Sequence, residues 1–144
     1  MLTIRRGRRT DLSTCQTMLF PDASGGEWRK AEVRHWRRLA RDPALDFYVA
    51  QHDGLLQGMI LVSYIRRLQH AGWLAIIDIA VLPSAPAQVG QALLDFAKER
   101  AQKRACLSVV WLPSSGQSTA SLSPTFLRDN GFQQAGEFWS CPLE

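Results

Sequence analysis

The chain holds only three cysteines in 144 residues, Cys15, Cys106 and Cys141. Their number is odd, they lie far apart, and no C-x-x-C pair occurs. His35, His52 and His70 do not join them at metal-ligand spacing, so neither a disulfide framework nor a metal site is expected. Lysine is scarce too, with three residues against fourteen arginines. No apolar run approaches the roughly 20 residues that a membrane helix needs, and the longest, Trp73 to Leu82, is interrupted by Asp78. The opening Met-Leu-Thr-Ile-Arg-Arg-Gly-Arg-Arg leads into no apolar segment. A secretory signal is therefore not expected, nor membrane contact, and the expected address is the cytoplasm.

What is present fits one globular domain over residues 1–144. Hydrophobic residues make up 46% and charged residues 21%, near the average for such domains, and the length is enough to bury a core. The net charge of +4 suggests an acidic partner, or only the base composition of the coding genome. No aromatic RNA-binding signature or helix-turn-helix spacing accompanies the charge, so nucleic-acid binding is not expected.

The elements follow from periodicity and punctuation. Thr3 and Ile4 begin a short strand, and Thr10-Asp11 can cap a helix through about Met18. Phe20 to Gly26 reads as a loop. Glu27 to Arg41 reads as an amphipathic helix, with Trp28, Val33, Trp36 and Leu39 on one stripe and arginines on the rest. Asp42-Pro43 ends it. Asp46 to Gln51 and Leu55 to Tyr64 form a hairpin through His52-Asp53-Gly54. After a basic turn, Trp73 to Leu82 is a strand apolar enough to be buried on both faces. Pro83 to Val89 reads as a loop, Gly90 to Arg104 as a helix and Ala105 to Leu112 as a strand, which together make a crossover unit. A Ser-rich linker from Pro113 to Ser123, a short helix from Pro124 to Asn130 and a last strand from Phe138 to Cys141 complete the chain. The expected fold is α/β with a mixed sheet of six to seven strands and about four helices on both faces.

This order, with three local matches, resembles the GNAT superfamily of acyl-CoA N-acyltransferases over nearly the whole chain. Tyr48-Val49-Ala50-Gln51-His52-Asp53-Gly54-Leu55-Leu56-Gln57-Gly58 resembles the family hairpin. Asp78-Ile79-Ala80-Val81-Leu82-Pro83 resembles the end of its fourth strand, and Phe126-Leu127-Arg128-Asp129-Asn130-Gly131-Phe132 its C-terminal helix. The resemblance implies transfer of an acetyl group from acetyl-CoA to a small-molecule or protein amine, and homodimers as a common assembly. The cofactor-binding residues it implies are Ala80, Val81 and Leu82 on the strand and Ala87, Gln88, Val89, Gly90 and Gln91 at the following helix. There, backbone N–H groups and the helix dipole attract a pyrophosphate.

The match is uneven. The family loop R/Q-x-x-G-x-G/A falls on Ala85-Pro86-Ala87-Gln88-Val89-Gly90. Only the last glycine is kept, and Pro86 has no N–H to donate. No Lys or Arg lies between Arg67 and Lys98. The implied oxyanion donor is a backbone N–H near Ala80 or Val81, and the implied base is Asp78, whose place in an apolar strand would raise its pKa. A carboxylate that is merely solvated, or paired with an arginine, is the competing reading of Asp78. The family's usual acid, a tyrosine, falls on Leu127, which carries no proton to donate. These departures keep open a second reading, a catalytically inactive binding or regulatory module with an arginine-rich surface.

Overall fold

The computed structural model describes residues 1–19, 30–112, 122–134 and 141–143. Its frame is a hairpin of β2 (Leu45–His52) and β3 (Leu55–Arg67), joined where Asp53 and Gly54 take φ of 52° and 81°. Two successive left-handed residues twist the turn to match the strands. β1 (Leu2–Arg6) pairs antiparallel with β2, and β4 (His70–Val81) pairs antiparallel with β3. α3 (Ala87–Lys103) then carries the chain over the sheet, so that β5 (Cys106–Trp111) lies parallel to β4. The strand order is β1-β2-β3-β4-β5.

Alternation along the strands gives the sheet two apolar faces, each covered by helices. Ala50, Ile60, Val62, Ala75 and Ile77 face α3, where Val89, Leu93, Leu94 and Ala97 complete a fully buried core. Phe47, Val49, Met59 and Ala80 face the other way, toward Cys15 and Met18 of α1 (Leu12–Leu19) and Trp36 of α2 (Lys30–Arg41). α4 (Pro124–Asp129) is capped by the Ser123 hydroxyl, which accepts from the Phe126 N–H, and Phe126 packs on the α3 side.

One polar cluster pins the frame on that side. Asp46 is 1% exposed and accepts from the Tyr64 hydroxyl at 2.5 Å and from Arg100 at 3.1 and 3.2 Å. Arg104 reaches it at 3.5 Å and stacks over the Tyr64 ring. A buried carboxylate so surrounded joins β2, β3 and the last turns of α3, and it is tolerable only because donors and charges compensate its desolvation.

The six to seven strands expected become five among the described residues. The last expected strand, Phe138 to Cys141, lies outside them except for Cys141, which is not in a strand. The expected loop at Phe20–Gly26, most of the Ser-rich linker, Trp28 and Trp139 also lie outside. The described tryptophans, Trp36, Trp73 and Trp111, are all half-buried. Helix α3 begins at Ala87 rather than Gly90. Pro86 sits just before it as N-cap, with its ring fixing φ at −57°. It thereby starts the helix three residues before the glycine that suggested its beginning.

Candidate active site

The two neighbours of β4 do not run equally far. Its pairing with β3 continues to Val81 opposite Gly58, whereas its pairing with β5 ends at Ile77 opposite Trp111. Past Ile77 the edge of β4 toward β5 is therefore open among the described residues. The Leu82 N–H bonds to Gln57 of β3. The alternation of an antiparallel ladder then turns Ala80 toward β3, and Ile79 and Val81 toward the open edge. Of the two backbone donors expected at this point, Val81 is the one that faces outward.

The first turn of α3 arrives at the same end of β4. Gly58 permits this, since a Cβ there would lie 2.9 Å from Leu93 Cδ1 and 3.2 Å from both Val89 Cγ1 and the Ala80 carbonyl oxygen. The helix start has no side-chain cap. The N–H of Ala85 bonds to Leu82 and that of Val89 to Pro86, while those of Ala87 and Gln88 bond to no backbone carbonyl among the described residues. Ala87 and Gln88 are exposed, and Val89 and Gly90 are buried beneath them. The Gln91 amide is tied to Asp95 and to Asn130 beyond α4, so only its backbone belongs to this turn.

Asp78 projects from β4 on the opposite face, toward α1 and α2. It shares an open cleft of about 330 Å3, mouth included, with Leu19, Trp36, Leu39, Phe47, Met59 and Leu61, and is the single charged group in its lining among the described residues. Among the described residues no hydrogen bond or ion pair holds its carboxyl. The residue is exposed, yet the apolar side chains around its base push the carboxyl above the ordinary range by desolvation. Among the described residues no arginine pairs with it, while its exposure keeps the reading of a solvated carboxylate beside that of a base.

A model of the acetyltransferase (GNAT) family matches residues 11–123. The chain belongs to the GNAT acetyltransferase family. No curated protein sequence matches it. Among solved structures it is similar to a transcriptional regulator from Bacillus halodurans, with 24% identity and a TM-score of 0.81 over 99% of this chain and 100% of that one. It is also similar to glucosamine-6-phosphate N-acetyltransferase from Arabidopsis thaliana, with 15% identity and a TM-score of 0.76 over 100% and 99%. A third likeness is a predicted acetyltransferase with acetyl-CoA from Clostridium acetobutylicum, with 16% identity and a TM-score of 0.73 over 99% and 96%. At such identities these likenesses speak for the fold.

Within this GNAT frame the remaining polar candidates are engaged elsewhere. Leu127 is buried in α4. Tyr48 stacks on Phe96 at 4.5 Å. Tyr64 donates to Asp46, and burial together with that bond pushes its hydroxyl well up. Burial raises the Cys15 thiol to about 12, which leaves it inert as a nucleophile. No group of three or more metal-ligating side chains occurs among the described residues, and no helix there is long and apolar enough to cross a membrane. On α2, Arg34, Arg37, Arg38 and Arg41 are exposed and pair with no carboxylate among the described residues.

Sequence reasoning named Asp78, the end of the fourth strand and the start of the following helix as candidates. It missed the cleft walls. Trp36 and Leu39 do lie on one apolar stripe of α2, but a stripe signals burial without saying whether the partner is a core or a cleft.

Proposed function

We propose that the protein transfers an acetyl group from acetyl-CoA to a primary amine in one direct step. The observation that carries this reading is the Asp78 carboxyl, raised by desolvation and without a partner among the described residues, beside the stretch of β4 that β5 does not reach. A group of that kind is suited to take a proton from an ammonium.

Acetyl-CoA supplies an activated acyl group, and in the transfer a C–N bond to the amine replaces the C–S bond to CoA. Asp78 removes the proton that the amine must lose, directly or through a water. The outward N–H of Val81 is the donor available to the carbonyl oxygen as negative charge develops there. The free N–H groups of Ala87 and Gln88, with the dipole of α3, form the anion-binding end, and Gly90 sits below them in the helix. Ala80 and Leu82 flank the donor strand position, and Val89 and Gln91 complete the first helical turn. With Leu127 at the usual acid position, the leaving thiolate takes its proton from water, which suits so weak a base.

A second reading, a GNAT fold that binds without catalysis, is favoured by Pro86, which removes one N–H from the phosphate end. Thermal-shift titration with acetyl-CoA and CoA, against dephospho-CoA and ATP, tests ligand binding first, because a ligand of the native state raises its stability. Release of free CoA thiol in the presence of amines then separates the two. A CoA-specific shift with amine-dependent thiol release supports transfer. A shift without release for any amine supports the binding module, and no shift at millimolar ligand overturns both forms of acyl-CoA recognition.

A further inference from the structure

We infer that the amine received beside Asp78 is a monoamine with an apolar body, aliphatic or aromatic, and not an aminosugar. The inference rests on the proposed acetyl transfer at this site and names its acceptor class.

The cleft argues this through what its walls offer. Trp36 and Leu39 come from α2, Phe47 from β2, Met59 and Leu61 from β3, and apart from the Trp36 indole N–H and the Met59 sulfur their side chains are hydrocarbon. Among the described residues Asp78 is the one charged side chain in the lining, and an ammonium occupies it. An acceptor rich in hydroxyls would leave them without partners against these walls, a loss that sites do not recover from elsewhere in the ligand. An apolar body gains instead, since one methylene in such a pocket is worth about tenfold or more in discrimination. The Trp36 ring, with Phe47 at 6.1 Å edge-on to it, makes a flat wall suited to an aryl or branched alkyl group.

Charge narrows the class further. The helix that supplies Trp36 and Leu39 also carries Arg34, Arg37, Arg38 and Arg41, exposed and without carboxylate partners among the described residues. Arg37 joins Arg8 and Arg9 around a second recess that shares Trp36 and Phe47 with the first. A polyamine or an aminoglycoside would bring several positive charges beside the recess that Arg8, Arg9 and Arg37 line, while Asp78 is the one carboxylate lining the cleft itself among the described residues. A single ammonium meets Asp78 and leaves no further cation at the rim.

The test measures binding and turnover separately on the whole protein. Calorimetry follows 2-phenylethylamine, hexylamine, butylamine, glucosamine 6-phosphate and kanamycin, with and without CoA, and thiol release from acetyl-CoA follows turnover of the same amines. The expected result is at least about tenfold tighter binding of 2-phenylethylamine than of either sugar, and hexylamine ahead of butylamine. Leu61→Gln should weaken 2-phenylethylamine severalfold while the KM for acetyl-CoA stays unchanged. Leu39→Gln on α2 gives the same readout if the strand variant fails to fold. Equal or tighter binding of a sugar, or no binding of any apolar amine, overturns the inference. If apolar amines bind and no amine releases thiol, the cleft assignment stands and acetyl transfer fails. If thiol release is faster with sugars, transfer stands and this inference fails.

Discussion

Gly58 faces Leu93 so closely that a Cβ on the glycine would lie 2.9 Å from the leucine Cδ1, with Val89 Cγ1 and the Ala80 carbonyl oxygen at 3.2 Å. The contact sets how near the first turns of α3 come to the end of β4. Leucine can rotate away, but the branched Val89 on α3 and the Ala80 carbonyl on β4 give way only if their backbones shift, so Gly58→Ala must move the helix, the strand or both. Overpacking of this kind costs about 1–3 kcal/mol, and at ~2–4 °C per kcal/mol for a domain near this size it lowers Tm measurably. Because the helix start is also the proposed phosphate site, the KM for acetyl-CoA should rise together with the fall in Tm. A variant with lower Tm and unchanged KM would separate this packing from the site.

The Asp46 cluster makes a prediction independent of catalysis. Burial pushes the Asp46 carboxyl up, but bonds from Arg100 and Tyr64 and the charges of Arg100 and Arg104 outweigh it, and its pKa lies below the ordinary 3.8. Asp46→Asn leaves two arginines and a tyrosine facing a neutral amide. The arginine side chains stay 29% and 37% exposed, so water relieves part of the loss, and about 2–3 kcal/mol is expected rather than the larger cost of a fully enclosed pair. The contribution is present above the unfolded pKa and is lost as pH falls through the lower folded one. The Tm difference between wild type and Asp46→Asn should therefore be full at pH 7 and shrink below pH 3.8. Tyr64→Phe should cost about 1–2 kcal/mol and leave kcat unchanged, since Tyr64 lies on the sheet face away from Asp78.

The hairpin, the crossover and both apolar faces were legible because each rests on local signals: an Asp-Gly turn, alternation over β2 and β3, and 3.6-residue spacing along α2 and α3. Asp78 was legible as one charge inside an apolar run. The Asp46 cluster was not, because nothing local ties an aspartate opening β2 to arginines more than fifty residues later on α3. The start of α3 was misjudged for a related reason. Gly90 drew attention as the surviving loop glycine, while Pro86 carried the stronger helix-start signal. The apolar cleft stayed hidden because its walls come from five separate elements, and only their packing reveals that Trp36 lines a space.

Pro86 offers a gain-of-function test of the phosphate end. Its backbone already has φ −57° and ψ 144°, which alanine adopts without strain, so Pro86→Ala adds one N–H beside those of Ala87 and Gln88. A hydrogen bond to a charged group contributes about 1.5–3 kcal/mol. Freeing the unfolded chain of proline's constraint costs about 0.4–1 kcal/mol of stability. The unliganded protein should melt slightly lower, and the Kd for CoA measured by calorimetry should fall severalfold. An unchanged Kd would show that no phosphate reaches this turn.

Asp78 carries the last prediction, and its sign is opposite to that of Asp46. Its folded pKa is raised above 3.8 by desolvation, with no partner to bring it back. Protonation therefore favours the folded state at low pH, and that stability is lost as pH rises from the unfolded pKa through the folded one. Asp78→Asn escapes this loss, so its Tm relative to wild type should climb between pH 3.8 and neutrality, while shifts common to both proteins cancel in the difference. Activity should move the other way. Removing the base lowers kcat by about 10²–10⁴-fold, and the acid limb of the wild-type kcat/KM profile, set above 3.8, should disappear in the variant. A carboxylate that only solvates the strand edge would give neither the Tm gain nor the lost limb. The pairing of higher stability with lower activity in one substitution is what a base held in an apolar cleft requires.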